Sequence, residues 1–158
     1  MTMTRLLLLF LVMGLLACSG TNFVDVDSGA PSSSGICADL GKIGEVPLKT
    51  DWPIEDKYYI SLRAQSTNAK HCLIEQITNE TPMKDPRSEP TKVEGFVVGD
   101  LAFFLLADFG FVDFNEVLPD DVQAKLPDRG VLAYFNWVKA SGNRQALQDR
   151  CRQWVAEH

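Results

Sequence analysis

Hydrophobic positions fall along this chain in blocks, and their spacing changes from one block to the next. Leu6 to Ala17 carries no polar side chain. Twelve apolar residues behind the single cation Arg5 suit the core of an export signal and fall short of the roughly 20 that span a bilayer as a helix. Ser19 to Gly35 is rich in Ser, Gly, Asn and Asp and includes Ser32-Ser33-Ser34-Gly35, the composition of a flexible tether. Residues 36–50 are sparsely apolar, with Gly41, Gly44 and Pro47, and read as an irregular arm laid over a domain.

Helical periodicity begins after Asp51. Asp51 is placed to cap a helix with Pro53 in its first turn, and Ile54, Tyr58 and Leu62 share one face. After a break at Ser66-Thr67, Ala69, Cys72, Leu73 and Ile77 form a second stripe. Pro82, Pro86 and Pro90 exclude a helix and predict an extended loop, which reads first as a connector and second as a binding surface. Leu101 to Ala107 is apolar all round and predicts a helix buried on every side, with Asp100 at its start and Gly110 just past its end. Asp113 with Glu116 has the spacing of a capping box. Asp120 is placed to cap a short helix that runs to Lys125 and is ended by Pro127. Val131, Leu132, Phe135 and Val138 form the next stripe, and Asn143 is placed to cap a last helix with Leu147, Cys151, Trp154 and Val155 on one face. Almost nothing alternates with period two. The expected fold is all-α, a compact bundle or short stack of about six helices, organised as leader 1–17, tether 18–35, arm 36–50 and helical domain 51–158.

Leu15-Leu16-Ala17-Cys18 resembles the lipobox of bacterial lipoproteins. That resemblance implies lipidation of Cys18, cleavage before it, and a membrane partner reached through the acyl chains. Ser19 is not the Asp that holds many such proteins at the inner membrane, so it implies the periplasmic face of the outer membrane. An ordinary secretory signal cut near Ala17 is the plainer reading. Thr81-Pro82-Met83, Asp85-Pro86-Arg87 and Val98-Gly99-Asp100-Leu101-Ala102-Phe103 also resemble segments of bacterial lipoproteins that bring no activity with them.

Charge narrows the partners. Losing Arg5 with the leader takes Lys+Arg from 15 to 14 against 21 Asp+Glu, so the net charge goes from −6 to −7. An acidic chain is a poor ligand for nucleic acid, whose affinity comes from cations that neutralise phosphates. With Cys18 given to lipid, Cys37, Cys72 and Cys151 remain. Pairing Cys37 with Cys72 would staple the arm to the domain, while the other pairings and three reduced, buried thiols stay open.

Candidate chemistry is thin. His71 and Glu75 share a helix face, but no second cluster completes a metal site, and His71 beside Cys72 points about 100° away from it. Neither a cofactor motif nor a catalytic constellation is found. Asp108, Asp113, Glu116, Asp120, Asp121 and Asp128 could pair across a cleft as in a glycan hydrolase, although capping and solvation of helix ends account for them more simply. Six of the nine Phe lie between Phe96 and Phe114, which predicts a core, whereas Tyr134 and Trp137, three apart, predict either burial or an aromatic interface stripe. The expected function is therefore binding of a partner protein, as an immunity-type inhibitor of a toxic effector that is itself basic at its contact face. Contacts are expected at Asp120, Asp121, Asp128, Tyr134 and Trp137. A subunit of an envelope assembly and a periplasmic hydrolase are the alternatives.

Overall fold

The structure is a computed structural model that describes residues 33–47, 55–87 and 92–158. The expected leader, Cys18, most of the expected tether, and Asp51, Pro53, Ile54 and Pro90 lie outside the described residues. Within them the fold is all-α, as the periodicity predicts. The helices are α1 (Ser33–Ile36), α2 (Lys57–Ala64), α3 (Ser66–Gln76), α4 (Val98–Asp108), α5 (Asp120–Gln123), α6 (Leu126–Arg129), α7 (Leu132–Val138) and α8 (Asn143–Glu157), with a 3-10 turn at Leu40–Lys42. No described helix is long and apolar enough to cross a membrane.

Helix α4 is the axle. Leu101, Ala102, Phe103, Leu105 and Leu106 have no exposed surface, so α4 is buried on every side but one, where Phe104 and Ala107 are half-buried. Each buried large side chain contributes about 1.5–3 kcal/mol of transfer free energy. Its C-terminus closes as a Schellman turn. Gly110 takes φ +75° and donates to the Ala107 carbonyl (3.0 Å), and Phe111 N–H reaches back to Leu106 (2.9 Å). At the other end Gly99 lets the backbone pass so close to α3 that a Cβ there would lie 2.2 Å from the Ile77 carbonyl oxygen. The open side of α4 is layered with rings. Phe104 packs on Phe96, Phe114, Tyr134 and Phe135 at 5.5–6.4 Å between centroids.

The start of α2 differs from expectation. Its cap is Asp56, whose carboxylate accepts the N–H groups of Tyr58 (3.0 Å) and Tyr59 (2.9 Å) and also binds Gly44 N–H (2.8 Å). Starting the helix there turns Tyr59 and Leu62 inward and leaves Tyr58 half-buried. The break between α2 and α3 is the single residue Gln65. The tether and arm also carry more structure than their composition suggested. The tether's last residues enter α1, and Cys37, Leu40, Ile43 and Val46 are buried. Cys37 is joined to Cys72 of α3 by a disulfide, and Cys151 is a free, buried thiol whose burial pushes it up to about 12.

Residues 79–87 are extended, as the prolines require. Pro82 bridges to Val97 and Val46 to Arg87. This stretch is held by a buried ion pair: Asp85 accepts Arg87 Nε (3.0 Å) and Nη2 (2.7 Å) together with the backbone N–H groups of Arg87 and Val93. The Arg87 guanidinium also lies over Phe96, Phe104 and Phe135, 4.9–5.6 Å from their centroids. Burial alone would raise the Asp85 carboxyl, but the hydrogen bonds from Arg87 and Val93 hold it below its ordinary value.

Two outcomes follow. Native alkylation at pH 8 leaves Cys151 unmodified, denaturant alone exposes it, and Cys37 and Cys72 label only after reduction, which mass spectrometry reads residue by residue. Opening the disulfide costs about 2–4 kcal/mol in urea melts. Second, because the folded value of Asp85 is depressed, its stabilising contribution is complete above the unfolded value of about 3.9 and is lost as pH falls through the folded value. Asp85→Asn therefore flattens the loss of stability as pH falls below the unfolded carboxyl value, with Asp56, depressed in the same direction, supplying a residual slope. An unchanged slope in Asp85→Asn would show that the pair does not drive acid unfolding.

Candidate functional site

A groove of about 380 Å³ runs between α5–α6 and α7. One wall is a row spaced four residues apart, Asp121, Lys125 and Arg129. The other is the groove-facing stripe of α7 and its continuation, the buried Ala133 with Asn136, Trp137 and Ala140, and Val122 and Asn143 complete the lining. Those α7 positions recur at three and four residues, so they form one stripe of the helix. Local chemistry sets the walls. Pro119 stands in extended conformation before α5, and Asp120 and Asp121 occupy the first turn, where the helix dipole favours them. Pro127 sits in the first turn of α6, and Gly130, at φ +54°, turns the chain into α7.

The rotation of α7 is set from inside. Tyr134 is buried and its hydroxyl donates to Asp100 Oδ1 at 2.8 Å. Arg144 Nη2 of α8 donates to the same oxygen at 2.8 Å, and Val97 N–H donates to Oδ2 at 3.0 Å. Burial and the Asp100 charge push the Tyr134 phenol well above its ordinary value, so it stays a neutral donor. With Tyr134 pinned inward, Trp137 faces the groove, half-buried, and shares its stripe with Ala133. Asn143 Nδ2 binds the Trp137 carbonyl at 2.8 Å and ties the end of α7 to the start of α8.

Of the expected contact residues, the structure brings Asp121 and Trp137 together. Asp120 and Asp128 are exposed but do not line the groove, and Tyr134 belongs to the core. The Tyr134/Trp137 stripe is thus corrected. Three residues are enough on a helix to put one ring on a buried hydroxyl acceptor and the other at the surface. Two caps and one helix end are corrected too: Asp120 makes no capping bond and is the first residue of α5, Asn143 follows the left-handed Gly142 that precedes α8, and Pro127 opens α6 instead of ending α5. Leu132, expected on the buried stripe, is 50% exposed. The lining residues Lys125, Arg129 and Asn136 were missed, though the spacing of Asp121, Lys125 and Arg129 carried a signal. The buried pair of Asp100 and Arg144 left none.

The acids do not converge. Asp108 accepts the Tyr59 hydroxyl (2.8 Å) beside Arg63 (3.5 Å), and burial with that hydrogen bond pushes Tyr59 up to about 12. Asp113 accepts the N–H groups of Asn115 and Glu116, so it does cap, but the segment is a turn and not a helix. Asp121 pairs with Lys125 at 3.1 Å. Asp108, Asp113 and Asp121 each border a different depression. His71 is exposed, Glu75 pairs with Arg152 at 3.0 Å, and no group of three or more His, Cys, Asp or Glu among the described residues could hold a metal ion. No family model, curated protein or solved structure matches the chain.

The buried network has a measurable signature. Asp100→Ala strands Arg144 and the Tyr134 hydroxyl and costs about 3–5 kcal/mol in urea melts. Tyr134→Phe removes one donor and leaves the Asp100–Arg144 bond, at about 1–2 kcal/mol. Equal losses for the two variants would mean that the charge is not what holds α7 and α8 to α4.

Proposed function

We propose that this chain is a lipid-anchored periplasmic domain that binds a partner protein through the α5–α7 groove, as an inhibitor of the immunity type. The observation that carries the reading is the groove itself: an apolar floor with one aromatic ring, rimmed by charges of both signs, with one wall on α7, which a buried network holds from inside. Such a surface has the makings of an interface, with an aromatic anchor and a polar rim. Anchoring at Cys18, at the outer membrane, rests on the lipobox and on Ser19. A tethered inhibitor needs a rigid face and no chemistry of its own, which suits the dispersed acids.

The test is competitive growth of cells deleted for this gene against siblings, with the neighbouring gene either kept or removed. The immunity reading expects a fitness loss only where the neighbour is kept, restored by the wild-type chain but not by Trp137→Arg or by Cys18→Ser, which blocks palmitate labelling. Full fitness of the single deletion would sink the immunity reading in favour of an assembly role.

A further inference from the structure

We infer that the groove receives an acidic segment of the partner, a carboxylate beside a large apolar side chain, even though the chain as a whole is acidic. This rests on the protein-binding reading and names the chemistry it would take. The three acids expected to meet a partner are not what the groove presents. Asp120 and Asp128 do not line it, and Asp121 is bound to Lys125. The cation left over is Arg129. It is exposed, and no hydrogen bond, ion pair or ring contact engages its guanidinium among the described residues, whereas Arg63, Arg87, Arg144, Arg150 and Arg152 each have a polar partner. A guanidinium offers a carboxylate two parallel hydrogen bonds.

Beside it, Val122, Ala133, Ala140 and the half-buried Trp137 form a floor on which an apolar side chain can shed its water. Asn136 is exposed and has no side-chain partner among the described residues, so its amide can serve a peptide group of the incoming strand. At about 380 Å³ the groove is near the lower end of the roughly 300–1,000 Å³ range of ligand sites, the scale of one large side chain and its neighbour. The two charge scales do not conflict. The net charge of −7 after leader removal acts over distance and favours a partner of positive net charge, while contact within a few ångströms is decided by Arg129.

The experiment displays random heptapeptides, held at both ends by fixed sequence, against the chain that follows the leader, made without lipid by Cys18→Ser. Peptides with Asp or Glu next to Phe, Trp, Leu or Met are expected to enrich. They should bind at least tenfold more weakly to Arg129→Glu, and replacing the peptide acid by Arg should restore binding to that variant. Folding of each variant is checked by circular dichroism and urea melt. Enrichment of peptides that lack an acid, or that bind Arg129→Glu equally, overturns the acidic chemistry while leaving protein binding intact. Failure to enrich anything beyond what Trp137→Arg retains overturns the groove as a peptide site, and the growth competition then stands as the separate test of the function. A dimer in light scattering that dissociates on Arg129→Glu assigns the groove to a second copy of this chain and overturns the proposal.

Discussion

A single carboxylate decides how this domain is put together. Asp100 is 1% exposed, on the most apolar helix of the fold, where an ion without partners would cost several kcal/mol. Its two oxygens are met by groups from three places: the backbone of its own helix start, the Tyr134 hydroxyl and the Arg144 guanidinium. These partners lie 34 and 44 residues further along the chain, so the requirement to satisfy one buried charge fixes α7 and α8 against α4 together. Apolar packing alone would leave α7 free to settle in several rotations, because Leu132, Phe135, Trp137 and Val138 offer apolar surface around much of its circumference. The hydroxyl acceptor removes that freedom. Gly99, one residue before Asp100, serves the same junction, since a Cβ there would clash with the Ile77 carbonyl and crowd Arg144 Nη1.

The extended segment at 79–87 is held by the same kind of device on the other side of the aromatic layer. Arg87 neutralises Asp85 and at the same time covers Phe96, Phe104 and Phe135, so one residue satisfies a buried acid and completes an apolar wall. A proline-rich stretch has few backbone donors with which to pair. The ion pair replaces the ladder of hydrogen bonds that a strand would supply, and two isolated bridges suffice. Together with the Cys37–Cys72 disulfide, which fastens the arm to α3, this explains how segments of little intrinsic order pack beside a helical core.

The parts legible in the sequence are those in which local pattern and tertiary demand agree. The run from Leu101 to Ala107 is a buried helix, as its Ala and Leu content favours over a buried strand, and Gly110 helps to end it. The stripes Ala69, Cys72, Leu73 and Ile77, and Leu147 with Cys151, are buried as their spacing requires. The failures come where two neighbouring residues compete for one role. Asp51 and Asp56 both can cap, and the choice of Asp56 depends on Gly44, twelve residues away, which shares its carboxylate. Pro127 can end one helix or open the next, and only the packing of α6 on α7 decides between them. Tyr134 and Trp137 are both large aromatics, and the Tyr134 hydroxyl matters only because Asp100 lies opposite, which no window of sequence around α7 contains.

That last case links the interior to the surface. The groove owes its aromatic floor to a rotation of α7 imposed from behind by Asp100, and its charged wall to the four-residue spacing that carries Asp121, Lys125 and Arg129 across two short helices. Trp137 is consequently presented from a fixed backbone, since Asn143 holds its carbonyl and Tyr134 fixes the helix beneath it. A surface ordered before its partner arrives loses less entropy on binding than one that must order itself. The proposed inhibitor role would gain from that, because a face already formed does not wait on a conformational step. The buried charge therefore does two things with one residue. It specifies the fold of the second half of the chain, and by excluding the other rotations of α7 it specifies which ring meets the outside.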